Sequence, residues 1–184
     1  MGLAILKLWL WLASFSKPRI TDLAAPLQHR FFVWPLDLDE NLHMNNSRYL
    51  NYMELARWDL NIRSGFLKYA LKHKIMAPVL NTAIVYRRSL GPLQTFCVDT
   101  QLVHRQGNSL FIEHSISRQN RLYAVAIMEV RVVQQGNTLA LDDILAATGL
   151  QFAPKEAADE TLLADNSALM KQLLQRGENR FQAA

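Results

Sequence analysis

The sequence holds a single cysteine, Cys97, so an internal disulfide and a multi-cysteine metal site are both excluded. Glycine and proline are also scarce, at 7 and 6 of 184 residues, while half of the chain is apolar. This composition excludes collagen-like and low-complexity chains and is typical of a water-soluble globular protein. The length suits one domain of ordinary size with short extensions.

Acidic residues are missing from the first 21 positions, where Lys7, Lys17 and Arg19 are the only charged side chains. Three of the 20 bases therefore lie in this segment, and 17 bases with 16 acids remain for the rest of the chain. That nearly neutral remainder lacks the clustered Lys and Arg of a nucleic-acid-binding surface. We expect no nucleic-acid partner.

A long apolar run is lacking too. The N-terminal apolar stretch, residues 2–15, is shorter than the ~20 residues that span a bilayer, and it lacks the basic start and cleavage site of a secretory signal. One interpretation is a helix that docks on the domain or on a second subunit. The other is an interfacial anchor in which the tryptophans lie at headgroup depth and the three cations face anionic lipid. We expect a cytoplasmic protein, with peripheral membrane contact through residues 1–19 under the second interpretation.

The hydrophobic pattern of the central region predicts one helix and several strands. A first strand is predicted at residues 29–34. A largely buried helix follows, which begins after an N-cap at Asn45, Asn46 or Ser47 and runs to about Gly65, with a further turn or two after it. Four strand candidates follow at 78–90, 96–104, 110–117 and 122–133, and their short connections predict an antiparallel meander. The order predicts an α+β fold in which a curved antiparallel sheet wraps a long central helix.

Three regions are expected along the chain. Residues 1–28 form an apolar N-terminal segment and linker, 29–137 form the domain, and 138–184 form a helical C-terminal extension. The extension carries an amphipathic pattern at 155–176.

The polar stretch before the predicted helix carries the chemistry: Asp37-Leu38-Asp39-Glu40-Asn41-Leu42-His43-Met44-Asn45-Asn46-Ser47-Arg48-Tyr49. The N–H groups at a helix N-terminus can polarise a carbonyl oxygen and stabilise the charge that develops on it during acyl transfer. A carboxylate or imidazole beside that point can activate water or attack directly. Asp, Asn and Ser are equally common in loops that enter helices, so composition alone also allows a structural interpretation.

The pattern Asp-Leu-Asp-x-Asn-x-His-Met-Asn-Asn-x-x-Tyr resembles the signature of hot-dog-fold thioesterases, and especially of plant acyl-carrier-protein thioesterases. Together with Tyr86-Arg87-Arg88-Ser89-Leu90 it looks nearest the branch called thioesterase superfamily member six, within the 4-hydroxybenzoyl-CoA thioesterase-like superfamily. The resemblance covers about residues 29–135. It implies a single hot-dog domain that hydrolyses an acyl-CoA or acyl-carrier-protein thioester to acid and thiol. It implies no metal or redox cofactor, and a homodimer or dimer of dimers, because hot-dog sites lie between subunits.

The resemblance also assigns roles to residues. Asp39 takes the place of the family's nucleophile or general base, and Asn41 and His43 match the residues that orient water and substrate. The acyl chain is expected to run along the central helix past Met53 and Trp58, and the arginines to meet the phosphates of coenzyme A or of a phosphopantetheine arm. The expected substrate-binding residues are Asn46, Tyr49, Met53, Arg87 and Arg88.

Ser89 departs from the family pattern. The plant enzymes carry a catalytic glutamate directly after Tyr-Arg-Arg, and a serine is no base at neutral pH, so proton transfer would fall to Asp39 and His43. Two alternatives to the hydrolase therefore stay open. One is a membrane-associated protein that binds acyl thioesters with little or no turnover, and the other is a hydratase that uses the Asp39 and His43 pair.

Overall fold

The computed structural model describes residues 3–14, 16–135, 137–139 and 141–153. The helices of this part are α1 (Leu3–Ser14), α2 (Asn46–Arg63), α3 (Phe66–His73) and α4 (Leu141–Thr148), with a short 3-10 helix at Pro35–Asp37. The strands are β1 (Leu27–Phe32), β2 (Ile75–Met76), β3 (Val79–Tyr86), β4 (Thr95–Gln106), β5 (Ser109–Arg118), β6 (Arg121–Arg131), β7 (Val133–Gln134) and β8 (Asn137–Thr138).

Helix α2 has clear start and stop signals. The side chain of Asn45 accepts a hydrogen bond from the backbone N–H of Ser47 at 2.9 Å, which caps the first turn. At the other end, Gly65 adopts a φ of +80°, a left-handed conformation that costs glycine little, and the chain turns into α3. The prediction of a helix that ends near Gly65, and of a short helical segment after it, is confirmed, and Asn45 is the one of the three candidate residues that caps it.

The main core lies between α2 and the sheet. Seven residues of α2 are buried, and six of them are apolar or aromatic, so their burial removes a large apolar area from water. One buried cluster joins side chains of α2 to small and branched side chains of the strands: Tyr49, Tyr52, Met53, Leu55, Ala56, Val98, Ile116, Ala124, Ala126 and Met128. The predicted α+β class, one long helix against an antiparallel sheet, is confirmed.

The order of the sheet differs from the meander that the sequence predicted. The five long strands pair in the order β1-β4-β5-β6-β3, and every pairing is antiparallel. Only β4, β5 and β6 form a meander. β3 ends at Tyr86 rather than near Leu90, and it pairs with β6 at one edge of the sheet instead of with β4. Both edges of β4 are already paired, one with β1 and the other with β5. The alternation of apolar and polar residues along a strand does not indicate which strands become its neighbours.

The N-terminal helix docks on the domain. Leu10 of α1 is buried in the main core, and Lys7 lies 2.5 Å from the Glu54 carboxylate and 4.9 Å from the Trp58 ring centre. The docking interpretation of this segment is therefore confirmed. β1 begins two residues earlier than predicted. The predicted amphipathic segment at 155–176 lies outside the described residues, and the division into three regions stays a prediction.

Candidate active site

Backbone hydrogen bonds close the loop at residues 38–44, just before α2. Leu38 and Met44 form an antiparallel bridge, and the N–H of Asp39 donates to the His43 carbonyl at 2.8 Å. Leu42 closes the loop with a φ of +58°, a left-handed conformation that is unfavourable for a large side chain, although its side chain is exposed. Strain of this kind persists where the surrounding structure imposes it, and it is frequent at functional loops.

The Asp39 carboxylate organises this loop. Its Oδ1 accepts the backbone N–H of Asn41 at 2.9 Å and of His43 at 3.2 Å. Its Oδ2 has no hydrogen-bond partner within the described part of the chain, and the residue is half-buried. The carboxylate is thus held in place through one oxygen while the other is available to a bound molecule. This arrangement suits a general base or a nucleophile.

Tyr49 joins this loop to the segment that follows β3. Its hydroxyl accepts the N–H of Leu90 at 3.2 Å and donates to the Arg88 carbonyl at 3.4 Å. Burial raises the pKa of the Tyr49 hydroxyl, and the negative charge of Asp39 contributes to the same shift. The loop, the first turn of α2 and residues 87–90 therefore lie side by side.

The segment at 87–90 is fixed by its backbone and leaves its polar side chains exposed. The N–H groups of Arg87 and Arg88 both donate to the Tyr123 carbonyl, and Arg88 Nη1 donates to the Leu122 carbonyl at 2.8 Å. Ser89 lies between the two residues that bond to Tyr49, next to the Asp39 loop. The structure thus brings the position of the missing glutamate to the candidate site.

The remaining residues expected at the loop lie around Asp39. Asn41 and His43 contribute backbone N–H groups to its carboxylate, and their side chains are exposed. Asn46 is the first residue of α2, and its carbonyl accepts the Tyr86 hydroxyl at 3.1 Å. The sequence analysis missed Tyr86 as part of this site. The sequence feature that could have indicated it is its position directly before Arg87 and Arg88, two of the expected substrate-binding residues.

Met53 lies elsewhere. It is fully buried in the main core, and Trp58 is covered by Lys7 of α1. An apolar cavity of about 80 Å³ does adjoin α2, and it is partly open to solvent. It lies along the second half of the helix, and its helix lining is Arg57, Leu60, Asn61 and Ser64. The path past Met53 and Trp58 thus does not coincide with this cavity.

Within residues 3–14, 16–135, 137–139 and 141–153, no group of three or more His, Cys, Asp or Glu is placed to hold a metal ion. Nor is any helix of those ranges long and apolar enough to cross a membrane.

Comparison with known proteins identifies relatives of this chain. Residues 33–159 match the sequence profile of the thioesterase-like superfamily. The protein THEM6 of Xenopus laevis is 30% identical over 122 residues, which cover 66% of this chain and 59% of THEM6. The long-chain acyl-CoA thioesterase FadM of Escherichia coli is 33% identical over 100 residues, or 54% of this chain and 76% of FadM. The match therefore spans less than two thirds of the THEM6 relative.

Among solved structures, the chain is similar to the crystal structure of the probable thioesterase YbaW from Escherichia coli. The TM-score is 0.62 at 28% sequence identity, and the alignment covers 66% of this chain and 95% of YbaW.

Proposed function

The chain belongs to the thioesterase-like superfamily, and on that basis we propose that it hydrolyses an acyl thioester, of coenzyme A or an acyl carrier protein, to a free acid and a thiol. The observation that carries this proposal is the Asp39 carboxylate, held by two loop N–H groups beside the first turn of α2. The similarity to FadM, an acyl-CoA thioesterase, favours coenzyme A as the thiol.

Asp39 acts as the base in this mechanism. Its free oxygen takes a proton from water, the hydroxide oxygen bonds to the thioester carbon, and the carbon–sulfur bond then breaks. The departing thiolate receives a proton, so acid and thiol are the only products. Asn41 and His43, whose side chains extend from the same loop, orient the water and relay the proton.

The N-terminus of α2 supplies the oxyanion donor. The N–H of Ser47 is occupied by the Asn45 side chain, and the N–H of Arg48 by the Asn45 carbonyl. The N–H of Asn46 has no such partner within the described residues. We assign it to the thioester oxygen, where the helix dipole adds to the stabilisation of negative charge.

Replacing Asp39 tests the proposal. Asp39→Asn keeps the size of the side chain but removes the base, and we expect thiol release from acyl-CoA to fall by ~10²-fold or more. Glu40→Gln is the matched control, because Glu40 is exposed on the same loop, and its activity should stay at the wild-type level. Release is measured with a thiol reagent over a series of chain lengths. Equal activity of Asp39→Asn and the wild type would refute the role of Asp39.

Ser89 favours a second candidate function, acyl-thioester binding with little turnover. A serine lies where the plant enzymes have a glutamate, and it is exposed beside the loop. Saturable binding of acyl-CoA without thiol release by the wild-type chain would support this alternative.

A homodimer through β3 is part of the proposal. Exposed edge strands are usually protected by charged residues or proline, whereas the eight residues of β3 include neither. Its apolar side chains Val79, Leu80, Val85 and Tyr86 are exposed, and its one irregularity lies between Val79 and Asn81. Pairing with β3 of a second copy about a two-fold axis would cover this edge.

We also propose that α1 rests on a lipid surface. Ile5, Leu8 and Leu12 are each more than half exposed and recur on one face of the helix. The three cations do not share in this contact as the sequence analysis expected, because each is engaged with the domain. Lys7 pairs with Glu54, Lys17 with Asp59, and Arg19 donates to the Thr148 carbonyl. The contact is therefore apolar rather than electrostatic.

A further inference from the structure

Arg57 of α2 is half-buried, and its pairing differs from that of the buried carboxylates Asp37 and Asp59. Asp37 is paired with Arg48, and Asp59 with Arg63, Lys17 and His29. By contrast, the Arg57 guanidinium makes one side-chain hydrogen bond in the described chain, to the Met128 sulfur at 2.8 Å. A thioether is a weak acceptor that carries no charge, so it does not compensate this half-buried cation.

The groups around Arg57 do not supply the missing negative charge. Burial lowers the pKa of Arg57, and Glu54, the carboxylate that acts against this shift, is itself bound to Lys7. Burial, with the charge of Arg57, lowers the pKa of the His114 imidazole to about 3, so His114 is neutral. His114 Nε2 has no hydrogen-bond partner in the described chain. A guanidinium does not lose its proton at ordinary pH, so the site holds a cation without a counter-ion.

The cavity along the second half of α2 is lined by Arg57. Its volume of about 80 Å³ has room for several water-sized groups, and its partial opening to solvent lets a longer molecule extend out of it. Apart from Arg57, Asn61 and Ser64, the lining is apolar, and most of it comes from β4, β5, β6 and α4, with side chains such as Leu102, Ile112, Val130, Ile144 and Leu145. One cation in an apolar cavity is complementary to an apolar molecule with one negative charge.

We propose that this cavity binds a free fatty acid, with the carboxylate on Arg57 and the hydrocarbon chain among the apolar side chains of β4, β5, β6 and α4. A carboxylate forms two parallel hydrogen bonds with a guanidinium and neutralises it, whereas a thioester carbonyl has no charge to offer. The site lies eleven residues along α2 from Asn46, or ~16 Å, and is distinct from the Asp39 loop. The ligand belongs to the class that the proposed hydrolysis releases, but its binding does not depend on that reaction.

Calorimetric titration of the full chain with decanoate, below its micelle concentration, tests the proposal. We expect saturable binding of one decanoate per chain. Arg57→Met keeps an apolar stem of similar length, and its affinity for decanoate should be at least tenfold lower. Decanol, which has the same chain length without the charge, should bind both proteins weakly and equally. No saturable binding of decanoate, or equal affinity of the wild type and Arg57→Met, would overturn the site.

Two further variants separate this cavity from the candidate active site. Leu145→Trp places a larger side chain at the half-buried wall of the cavity while Arg57 is intact, and it should also lower decanoate affinity at least tenfold. Asp39→Asn should bind decanoate as the wild type does, whether or not it hydrolyses thioesters. Decanoate binding that is lost in Asp39→Asn or unchanged in Leu145→Trp would place the ligand elsewhere. Arg57→Met should melt at a higher temperature than the ligand-free wild type, and this result shows that the variant is folded.

Discussion

Asp37 and Asp39 lie two residues apart and have different tasks. Asp37 is buried, and its two oxygens accept hydrogen bonds from the Arg48 side chain, the Tyr52 hydroxyl and the N–H of Trp34. All of its acceptor capacity is thus directed at the fold. In Asp39, Oδ1 accepts the two hydrogen bonds of the loop, and Oδ2 has no partner in the described part of the chain. The local pattern Asp-x-Asp therefore combines a structural carboxylate with a chemical one.

Ser89 gives a prediction at the scale of one residue. A carboxylate here would stand next to the segment that Tyr49 binds, where the plant enzymes have their glutamate. Ser89→Glu should therefore raise the rate of thiol release, by ~10-fold or more, because a second base shares the proton transfer. Ser89→Gln has nearly the same shape without the base and should stay near the wild-type rate. Equal rates for the two variants would contradict this account.

The sequence predicted the loop but not Arg57. Asp39, Asn41 and His43 stand in a contiguous pattern of fixed spacing, so a local motif was enough to find them. Arg57 is one of 20 basic residues, and its neighbours in sequence do not mark it. Its distinction is that its half-buried guanidinium bonds to the Met128 sulfur instead of a carboxylate after folding, which depends on where β6 lies. A property defined by distant contacts is not readable from a local pattern.

In the sheet, too, local sequence patterns predict the strands, whereas the pairing of strands depends on contacts between distant residues. Alternation of apolar and polar residues located β4, β5 and β6 to within two residues, because it reflects burial of one face. It could not place β3, since every strand alternates in the same way whichever neighbour it pairs with. The position of β3 at the edge matters, because it leaves this uncharged strand available to a second copy.

The β3 edge predicts an oligomeric state. Light scattering after size exclusion should give twice the chain mass for the wild type. Val85→Lys adds a charge to an exposed position of β3 and should shift the protein to the monomer, with a dissociation constant at least tenfold higher. Leu71→Lys makes the same change at an exposed position of α3, and it should remain a dimer. A monomeric wild type would rule out pairing through β3.

Helix α1 predicts how the protein meets lipid. Since its neighbouring cations are engaged with the domain, flotation with neutral phosphatidylcholine vesicles should be nearly as strong as with vesicles that contain phosphatidylserine. Leu8→Glu should reduce flotation on both, whereas Leu71→Glu should not. Flotation that requires the anionic lipid would mean that these cations leave their partners. Unchanged flotation of Leu8→Glu would exclude α1 as the contact.

At the scale of the whole molecule, buried charges tie distant segments to α2. The Asp59 carboxylate receives Lys17 from the segment after α1, His29 from β1 and Arg63 from its own helix. Burial opposes its ionisation, but the hydrogen bond and charge of His29, with those of Lys17 and Arg63, hold the pKa of Asp59 below its ordinary value. This contribution to stability is present above pH ~4 and is lost as the pH falls through the folded-state pKa.

His114 affects the free energy of unfolding at higher pH than Asp59 does. Its Nδ1 is bonded to the Thr100 hydroxyl at 2.8 Å, and burial together with Arg57 lowers its pKa to about 3. The unfolded imidazole has a pKa of ~6.5, so between these values only the unfolded chain takes up the proton. The free energy of unfolding should therefore fall with falling pH by up to ~1.4 kcal/mol per pH unit from this residue alone.

His114→Gln should remove that part of the pH dependence. The amide can still bond to Thr100 but does not titrate, so the slope of unfolding free energy between pH 6 and pH 4.5 should decrease by ~1.4 kcal/mol per pH unit. Urea unfolding at a fixed chain concentration, followed by tryptophan fluorescence, measures it. If His114→Gln kept the wild-type slope, the cation beside His114 would already be neutralised in the folded protein, and the argument for a counter-ion at Arg57 would weaken with it.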